Sequence, residues 1–244
     1  MTVDLSKTLI VMPAYNEEAV IDQVLTEVYS TNPGITCLVV DDGSRDRTTQ
    51  ISSQAGAIVA TLPYNLGVGG AMRVGFNYAL ANGFENVVQV DADGQHNPRD
   101  VARLVAELSD ADLVLGARFA GSGDYEAKGP RKWAMIVLAK LLSRSAHAQL
   151  TDTTSGFRAS GPRAVKLFAQ HYPAEYLGDT VESLVIAARA GFVIKQVPVS
   201  MRARAGGTPS HSPIKATIFL ARVGVAMLFA FLRPPVKEIG QSQL

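Results

Sequence analysis

Asp91-Ala92-Asp93 sets two carboxylates one residue apart at the end of the apolar run Asn86 to Val90, and Gln95 follows closely. Where a chain bends as it leaves a strand, such a pair can converge on a hard divalent cation whose other positions are filled by phosphate oxygens and water. A lone Asp-x-Asp is more often a solvated turn. Here Gln95 adds an oxygen donor, and three further motifs follow apolar runs in the same way. They are Pro13-Ala14-Tyr15-Asn16-Glu17, Asp41-Asp42-Gly43-Ser44-Arg45-Asp46 and Asn65-Leu66-Gly67-Val68-Gly69-Gly70. Acidic pairs such as Asp41-Asp42 also cap helices and make turns. The glycine-rich stretch resembles a phosphate cradle, but it has neither the dinucleotide fingerprint nor the lysine of a P-loop, which disfavours redox cofactors and ATP hydrolysis. Gly67, Gly69 and Gly70 serve either a tight turn with close helix packing or direct substrate contact; the residues alone leave both open.

The elements that must position these residues alternate. Strands are expected at Thr8 to Met12, Ile35 to Val40, Ala57 to Leu62, Asn86 to Val90 and Asp112 to Ala117. Between them helices are expected at Glu17 to Thr31, Arg47 to Ala55, Gly69 to Ala81 and Pro98 to Leu108, the last with proline in its first turn. That rhythm is the signature of βαβ units on a largely parallel sheet, an α/β fold. Val20, Ile21, Val24, Leu25 and Val28 give the first helix one apolar face, and Asn16 is placed to cap it. Ligands of open parallel sheets lie outside the carboxyl ends of the strands, so one ligand could touch all four motifs. After Phe119 the small polar stretch Ala120 to Asp124 reads as a loop. A helix from Arg131 to about His147, a polar loop Thr151 to Phe157, a helix near Asp179 to Ala190 and a strand-like Phe192 to Met201 follow. The expected division is a catalytic domain over 1–204, a loop over 205–212, and an amphipathic, membrane-associating helix and tail over 213–244.

A chain of 244 residues can bury a substantial core, and its net charge of +1 hides no basic block, so nucleic acid is a poor partner. Cys37 lies in an apolar run and reads as a buried strand residue. Only a few polar residues precede the first strand, leaving no room for a secretory or transit peptide, so a cytoplasmic chain is expected. Ile214 to Leu232 is apolar but carries Lys215 and Arg222, and its uncharged stretch falls short of the ~20 residues a bilayer span needs. Lys215, Arg222 and Arg233 fall near one line at ~100° per residue, the pattern of an interfacial helix at a membrane surface. The alternative is a helix docked on its own domain or on a small membrane-protein partner.

In combination, Pro13-Ala14-Tyr15-Asn16-Glu17, Asp41-Asp42-Gly43-Ser44, Asn65-x-Gly67-x-Gly69 and Asp91-Ala92-Asp93-Gly94-Gln95-His96 resemble a family 2 glycosyltransferase. With Gly116-Ala117-Arg118-Phe119 and Thr153-Thr154-Ser155-Gly156-Phe157-Arg158, the chain is most similar to the dolichyl-phosphate and polyprenyl-phosphate sugar synthases, over about Thr8 to Arg204. The resemblance implies a GT-A fold and an inverting transfer from a nucleoside-diphosphate sugar, GDP-mannose or a UDP-sugar. It implies that Pro13, Tyr15, Glu17 and Asp42 hold the nucleoside, with Asn65, Gly69 and Ala92 also lining the nucleotide-sugar site. Asp91, Asp93 and Gln95 would hold Mg²⁺ or Mn²⁺ on the diphosphate, with Asp93 and Arg118 central to catalysis. The acceptor, polyprenyl phosphate, already carries an anionic oxygen, so it calls for cations more than for a general base. Arg118, Arg131, Lys132, Arg158 and Arg202 fall where the family places that phosphate, and arginine's fork suits it. Asp152 and Asp179 remain as base or sugar-holding carboxylates, with no choice between them. The stretch Arg202 to His211 lacks the Ser-Lys ending of the family's closing loop, and the chain resembles the short form without several membrane spans. Peripheral association with the cytoplasmic face of the membrane is the expected location. The rivals are transfer to a sugar hydroxyl, a sugar-nucleotide pyrophosphorylase, which would carry a glycine-rich basic loop after the first strand, and a non-catalytic binding protein.

Overall fold

A computed structural model describes residues 3–117, 152–173 and 179–202. The expected loop at 120–124, the helix at 131–147, the loop at 205–212 and the terminal helix lie outside them, as do Arg118, Arg131 and Lys132. Among the described residues no helix is long and apolar enough to cross a membrane.

The chain runs β1 (Thr8–Ala14), α1 (Ile21–Thr31), β2 (Thr36–Asp41), α2 (Thr48–Gln54), β3 (Ile58–Thr61), α3 (Gly67–Ala81) and β4 (Asn86–Gln89). A 3-10 turn (Pro98–Asp100) then leads into α4 (Val101–Ala106), followed by β5 (Leu113–Ala117), β6 (Arg158–Ser160), α5 (Pro162–His171), α6 (Asp179–Arg189) and β7 (Ile194–Pro198). The strands form one seven-stranded sheet in the order β3-β2-β1-β4-β6-β5-β7. All neighbours are parallel except that β6 runs antiparallel to both β4 and β5. The expected largely parallel α/β sheet is therefore what the chain builds.

Side chains alternate across each strand, and the two faces feed two cores. Leu9 and Val11 of β1 face α3, α5 and α6, while Ile10 and Met12 face α1 and α4. Val20, Ile21, Val24, Leu25 and Val28 are all buried, as the helical spacing requires. Cys37 is buried in β2, and desolvation pushes its thiol up to about 12. On the other face Phe76 of α3 packs 5.2 Å from Phe168 of α5 and 5.1 Å from Tyr172.

One expectation is corrected. Asn16 does not cap α1: it sits at φ 55 with its Oδ1 accepting the Arg45 N–H. The helix starts instead from a turn in which the Glu17 carbonyl accepts from Val20 and Ile21. Also, β6 and α5 go beyond the expected elements. The strand is three residues long and opens on a charged residue, too short to show a period; α5 starts at Pro162 behind Gly161 and buries Ala164, Val165, Phe168 and Ala169.

Candidate functional site

Strand order reverses between β1 and β4: β2 and β3 lie to one side of β1, and β4 with the rest of the sheet to the other. At such a switch point the loops leaving two adjacent strands diverge and open a crevice at their carboxyl ends. All four sequence motifs leave that end, in the consecutive positions β3, β2, β1 and β4.

The loops on the β3 side are laced together. Asn16 N–H donates to Ser44 Oγ at 2.9 Å, Glu17 N–H to Thr48 Oγ1 at 2.9 Å and Glu18 N–H to Asp46 at 3.1 Å. Asp46 also accepts the Thr48 hydroxyl and N–H, and against the opposing effect of burial these bonds, with that from Glu18, hold its carboxyl below the ordinary value. Tyr15 stands out of this lattice, 45% exposed, beside half-buried Pro13 and Glu17. Asp41 is spent on its own loop, accepting from Ser44 N–H at 2.8 Å and from the Thr49 hydroxyl.

Asp42 takes the helix-capping duty that acidic residues at a strand end can serve, at the start of α3. It is 4% exposed, and its two oxygens accept the N–H groups of Leu66 at 2.6 Å and Gly67 at 2.8 Å. A carboxylate on the first amides of α3 satisfies donors that have no partner within the helix and complements its dipole. Burial raises the Asp42 carboxyl above its usual range, and these two bonds pull back against it. The glycine-rich stretch is thus a tight turn held by the protein itself. Gly67 has φ +80, a Cβ on Gly70 would lie 2.5 Å from that of Leu66, and Gly69 is buried in the first turn while Asn65 is exposed.

On the β4 side the carboxylates are held differently. Asp93 is 6% exposed and its Oδ1 accepts the Gln95 N–H at 3.0 Å, closing the turn, with Ala92 buried between the two aspartates. Asp91 keeps 36% of its side chain exposed. Its Oδ1 accepts from Gln89 Nε2 at 3.0 Å, and a Cβ on Gly156 would lie 3.0 Å from that nitrogen and 3.4 Å from Asp91 Oδ2. The segment entering β6 therefore walls the Asp91 carboxylate. Among the described residues no three His, Cys, Asp or Glu side chains form a metal-holding group. Two carboxylates and a glutamine amide are nonetheless a fitting donor set for a hard cation that takes its remaining oxygens from a diphosphate and water.

Arg158 and Arg202, expected at an acceptor phosphate, are placed as braces. Arg158 is 5% exposed, and its guanidinium donates to the carbonyls of Ser155, Thr153 and Thr180 and to Ser183 Oγ, at 2.6–3.1 Å. It ties the 152–157 loop to α6. Arg202 grips Glu27 of α1 through two bonds of 2.6 and 2.8 Å and reaches Asn97 Oδ1 at 3.0 Å. That pairing holds the Glu27 carboxyl below its ordinary value. Arg202 N–H also donates to the Gln95 carbonyl at 3.0 Å, and His96 bridges Met201, so the chain past β7 crosses the carboxylate loop. Asp152 is wholly buried and its Oδ1 accepts from the Thr154 N–H and hydroxyl, while Asp179 opens α6.

Gln89, Gly156 and His96 went unassigned in the sequence. Gln89 carried a signal: it is a polar residue at the buried position of β4 that shares a face with Val87 and points toward Asp91.

The family model described as Glycosyl transferase family 2 matches residues 9–167, well over half of the chain. An undecaprenyl-phosphate mannosyltransferase from Micrococcus luteus is 29% identical over 242 residues, covering 93% of this chain and 98% of its own. A UDP-N-acetylglucosamine–dolichyl-phosphate N-acetylglucosaminyltransferase from Methanococcus voltae is 28% identical over 210 residues, covering 78% of this chain and 83% of its own. Among solved structures, glucosyl-3-phosphoglycerate synthase from Mycobacterium tuberculosis, in complex with Mn²⁺, UDP-glucose and phosphoglyceric acid, superposes with a TM-score of 0.71 at 23% identity, over 93% of this chain and 80% of that one. The last likeness is one of fold, and it makes this sheet a GT-A sheet.

Proposed function

Because the chain belongs to glycosyl transferase family 2, we propose that it moves a hexose or N-acetylhexosamine from a nucleoside-diphosphate sugar to polyprenyl phosphate, with inversion, at the cytoplasmic face of a membrane. The observation that carries this reading is the pair Asp91 and Asp93, set at the sheet's switch point and held there by Gln89 and the Gln95 amide. The relatives' acceptors support the polyprenyl phosphate; their donors differ, so the sugar and the nucleotide base stay open within GDP- and UDP-sugars.

In this reading Pro13, Tyr15 and Glu17 line the nucleoside, exposed Tyr15 offering a ring face to the base, and Asp42 shapes the site by fixing the start of α3 beside Asn65 and Gly69. Asp91, Asp93 and Gln95 would hold Mg²⁺ or Mn²⁺. When bound, that ion neutralises charge developing on the departing diphosphate. Arg118, Arg131 and Lys132 are the cations proposed for the acceptor phosphate. Asp152, buried and turned onto Thr154, suits a loop-shaping carboxylate better than a base. Transfer to a sugar hydroxyl is the second reading, and it requires a base: replacing Asp152 or Asp179 would then cost more than about a hundredfold.

The test is a screen of radiolabelled GDP- and UDP-sugars with a short polyprenyl phosphate and Mg²⁺ or Mn²⁺, scoring acid-labile label that enters organic solvent. Transfer from one donor is expected, and Asp93→Asn is expected to abolish it while the melting temperature holds. Silence across all donors, with an added membrane fraction also failing, would sink the polyprenyl-phosphate reading.

A further inference from the structure

His96 belongs to the carboxylate loop yet has no part in the reading above. It is 3% exposed, and its ring lies stacked on Phe157 with centroids 4.7 Å apart and planes 12° from parallel. Phe157 is fully buried at the entry to β6, next to Gly156, whose missing side chain leaves room for Asp91. The imidazole is thus held by its face against the segment entering β6, while its two nitrogens address the residue that follows β4. Nδ1 accepts the Asp91 backbone N–H at 3.0 Å. A nitrogen that accepts an amide proton carries none itself, so in the neutral ring the proton is on Nε2. Nε2 lies 3.6 Å from Asp91 Oδ2, the oxygen opposite the one that Gln89 holds. With Nδ1 accepting an amide proton and Nε2 carrying one, the neutral ring has no free lone pair to give a metal, so it is not read as a ligand.

We propose that His96 is a positioning residue for Asp91. Its Nδ1 pins the Asp91 backbone and its Nε2–H steers Oδ2, so that with Gln89 on Oδ1 the carboxylate keeps one orientation before any ion arrives. The contact at 3.6 Å exceeds hydrogen-bond length, and a shift of a few tenths of an ångström in the exposed carboxylate would close it. Groups behind a metal ligand of this kind typically contribute about 10–100-fold in metal affinity. The proposal rests on Asp91 being a metal ligand, as the functional reading holds.

The two nitrogens can be separated by substitution. His96→Asn puts an amide oxygen near the Nδ1 position and leaves nothing at Nε2. His96→Gln reaches the Nε2 position with a donor and abandons Nδ1. His96→Phe keeps the stacking on Phe157 and loses both. Mn²⁺ binding to each full-length variant would be measured by the electron paramagnetic resonance of free Mn²⁺, with UDP and separately with GDP, alongside thermal unfolding. His96→Phe is expected to weaken Mn²⁺ binding about 10–100-fold, with His96→Gln within about threefold of the wild type and His96→Asn nearer the Phe variant. A His96→Phe protein that binds within about twofold of the wild type overturns the proposal, as does His96→Asn binding as well as His96→Gln. Should His96→Phe fail to fold, the Asn and Gln variants decide, together with the long-range ¹⁵N spectrum of wild-type histidine. That spectrum is expected to show a bare Nδ1 and a protonated Nε2, and the opposite tautomer overturns the proposal with no variant needed. A wild type that takes up no Mn²⁺ with either nucleotide would sink the metal reading itself, which is a different failure.

Discussion

At the scale of the residue, the proposed metal site depends on how a carboxylate that is one-third exposed is held. Asp91 has Gln89 on one oxygen and the bare Cα of Gly156 against the other. Gly156→Ala tests that wall. Its new methyl would stand 3.0 Å from Gln89 Nε2, so the amide must give by a few tenths of an ångström, which strains its bond to Asp91 Oδ1. Affinity for Mn²⁺ is expected to fall by about tenfold, as for the loss of other groups behind a ligand, while the melting temperature changes little. Unchanged affinity would mean that the wall does not matter. The place of Asp91 and Asp93 just past β4 was legible in the sequence because the apolar run before them ends at Val90. The supports of Asp91 were not, because nothing in the letters says that residues 89 and 156 meet. The arginines show the converse: Arg158 and Arg202 have the chemistry for a phosphate, and only the fold reveals that backbone carbonyls and Glu27 already occupy them.

At the scale of the element, α3 carries the tightest fit. A Cβ on Gly75 would fall 2.4 Å from one methyl of Val11 and 2.7 Å from the other. Val11 is fully buried in β1 between two paired strands, and its branched side chain is stiff, so it cannot yield. Gly75→Ala would gain about 1 kcal/mol of helix propensity. Overpacking costs about 1–3 kcal/mol at such sites and is expected at its upper end here, for a net loss of about 1–2 kcal/mol in urea unfolding. A more stable variant would show that the helix can lift off the sheet. The helices with strong periodicity were legible to within a few residues. The start of α1 was not, because Asn16 has a local choice between capping its own helix and reaching into the next loop, and the loop wins. Three-residue β6 was beyond reach, since pairing partners on both sides, not its own pattern, make it a strand.

At the scale of the molecule, the pair of Arg202 with Glu27 joins the chain beyond β7 to α1 near the other end of the sequence. The Glu27 carboxyl is depressed from 4.5, so its contribution is present above that value and lost as pH falls through the lower, folded one. The side chains of Arg202 and Glu27 remain 41% and 32% exposed, which limits the pair to less than about 1 kcal/mol. Glu27→Gln should therefore lower the urea midpoint slightly and by a constant amount above pH 6, with the gap from the wild type closing as the pH drops toward 3. A gap that persists at pH 3 would assign the effect to packing instead of charge.

The antiparallel insertion of β6 has a consequence for the nascent chain. β4 pairs with β1 on one side, but its partner on the other is β6, which leaves the ribosome long after it. At roughly 5–20 residues per second, the edge Val87–Gln89 stays open for several seconds of synthesis, while β5, already made, has no place of its own beside β4. An exposed apolar edge is a template for pairing with a neighbouring chain. Slowing the ribosome between Ala117 and Arg158 is therefore expected to lengthen that exposure and raise the aggregated fraction.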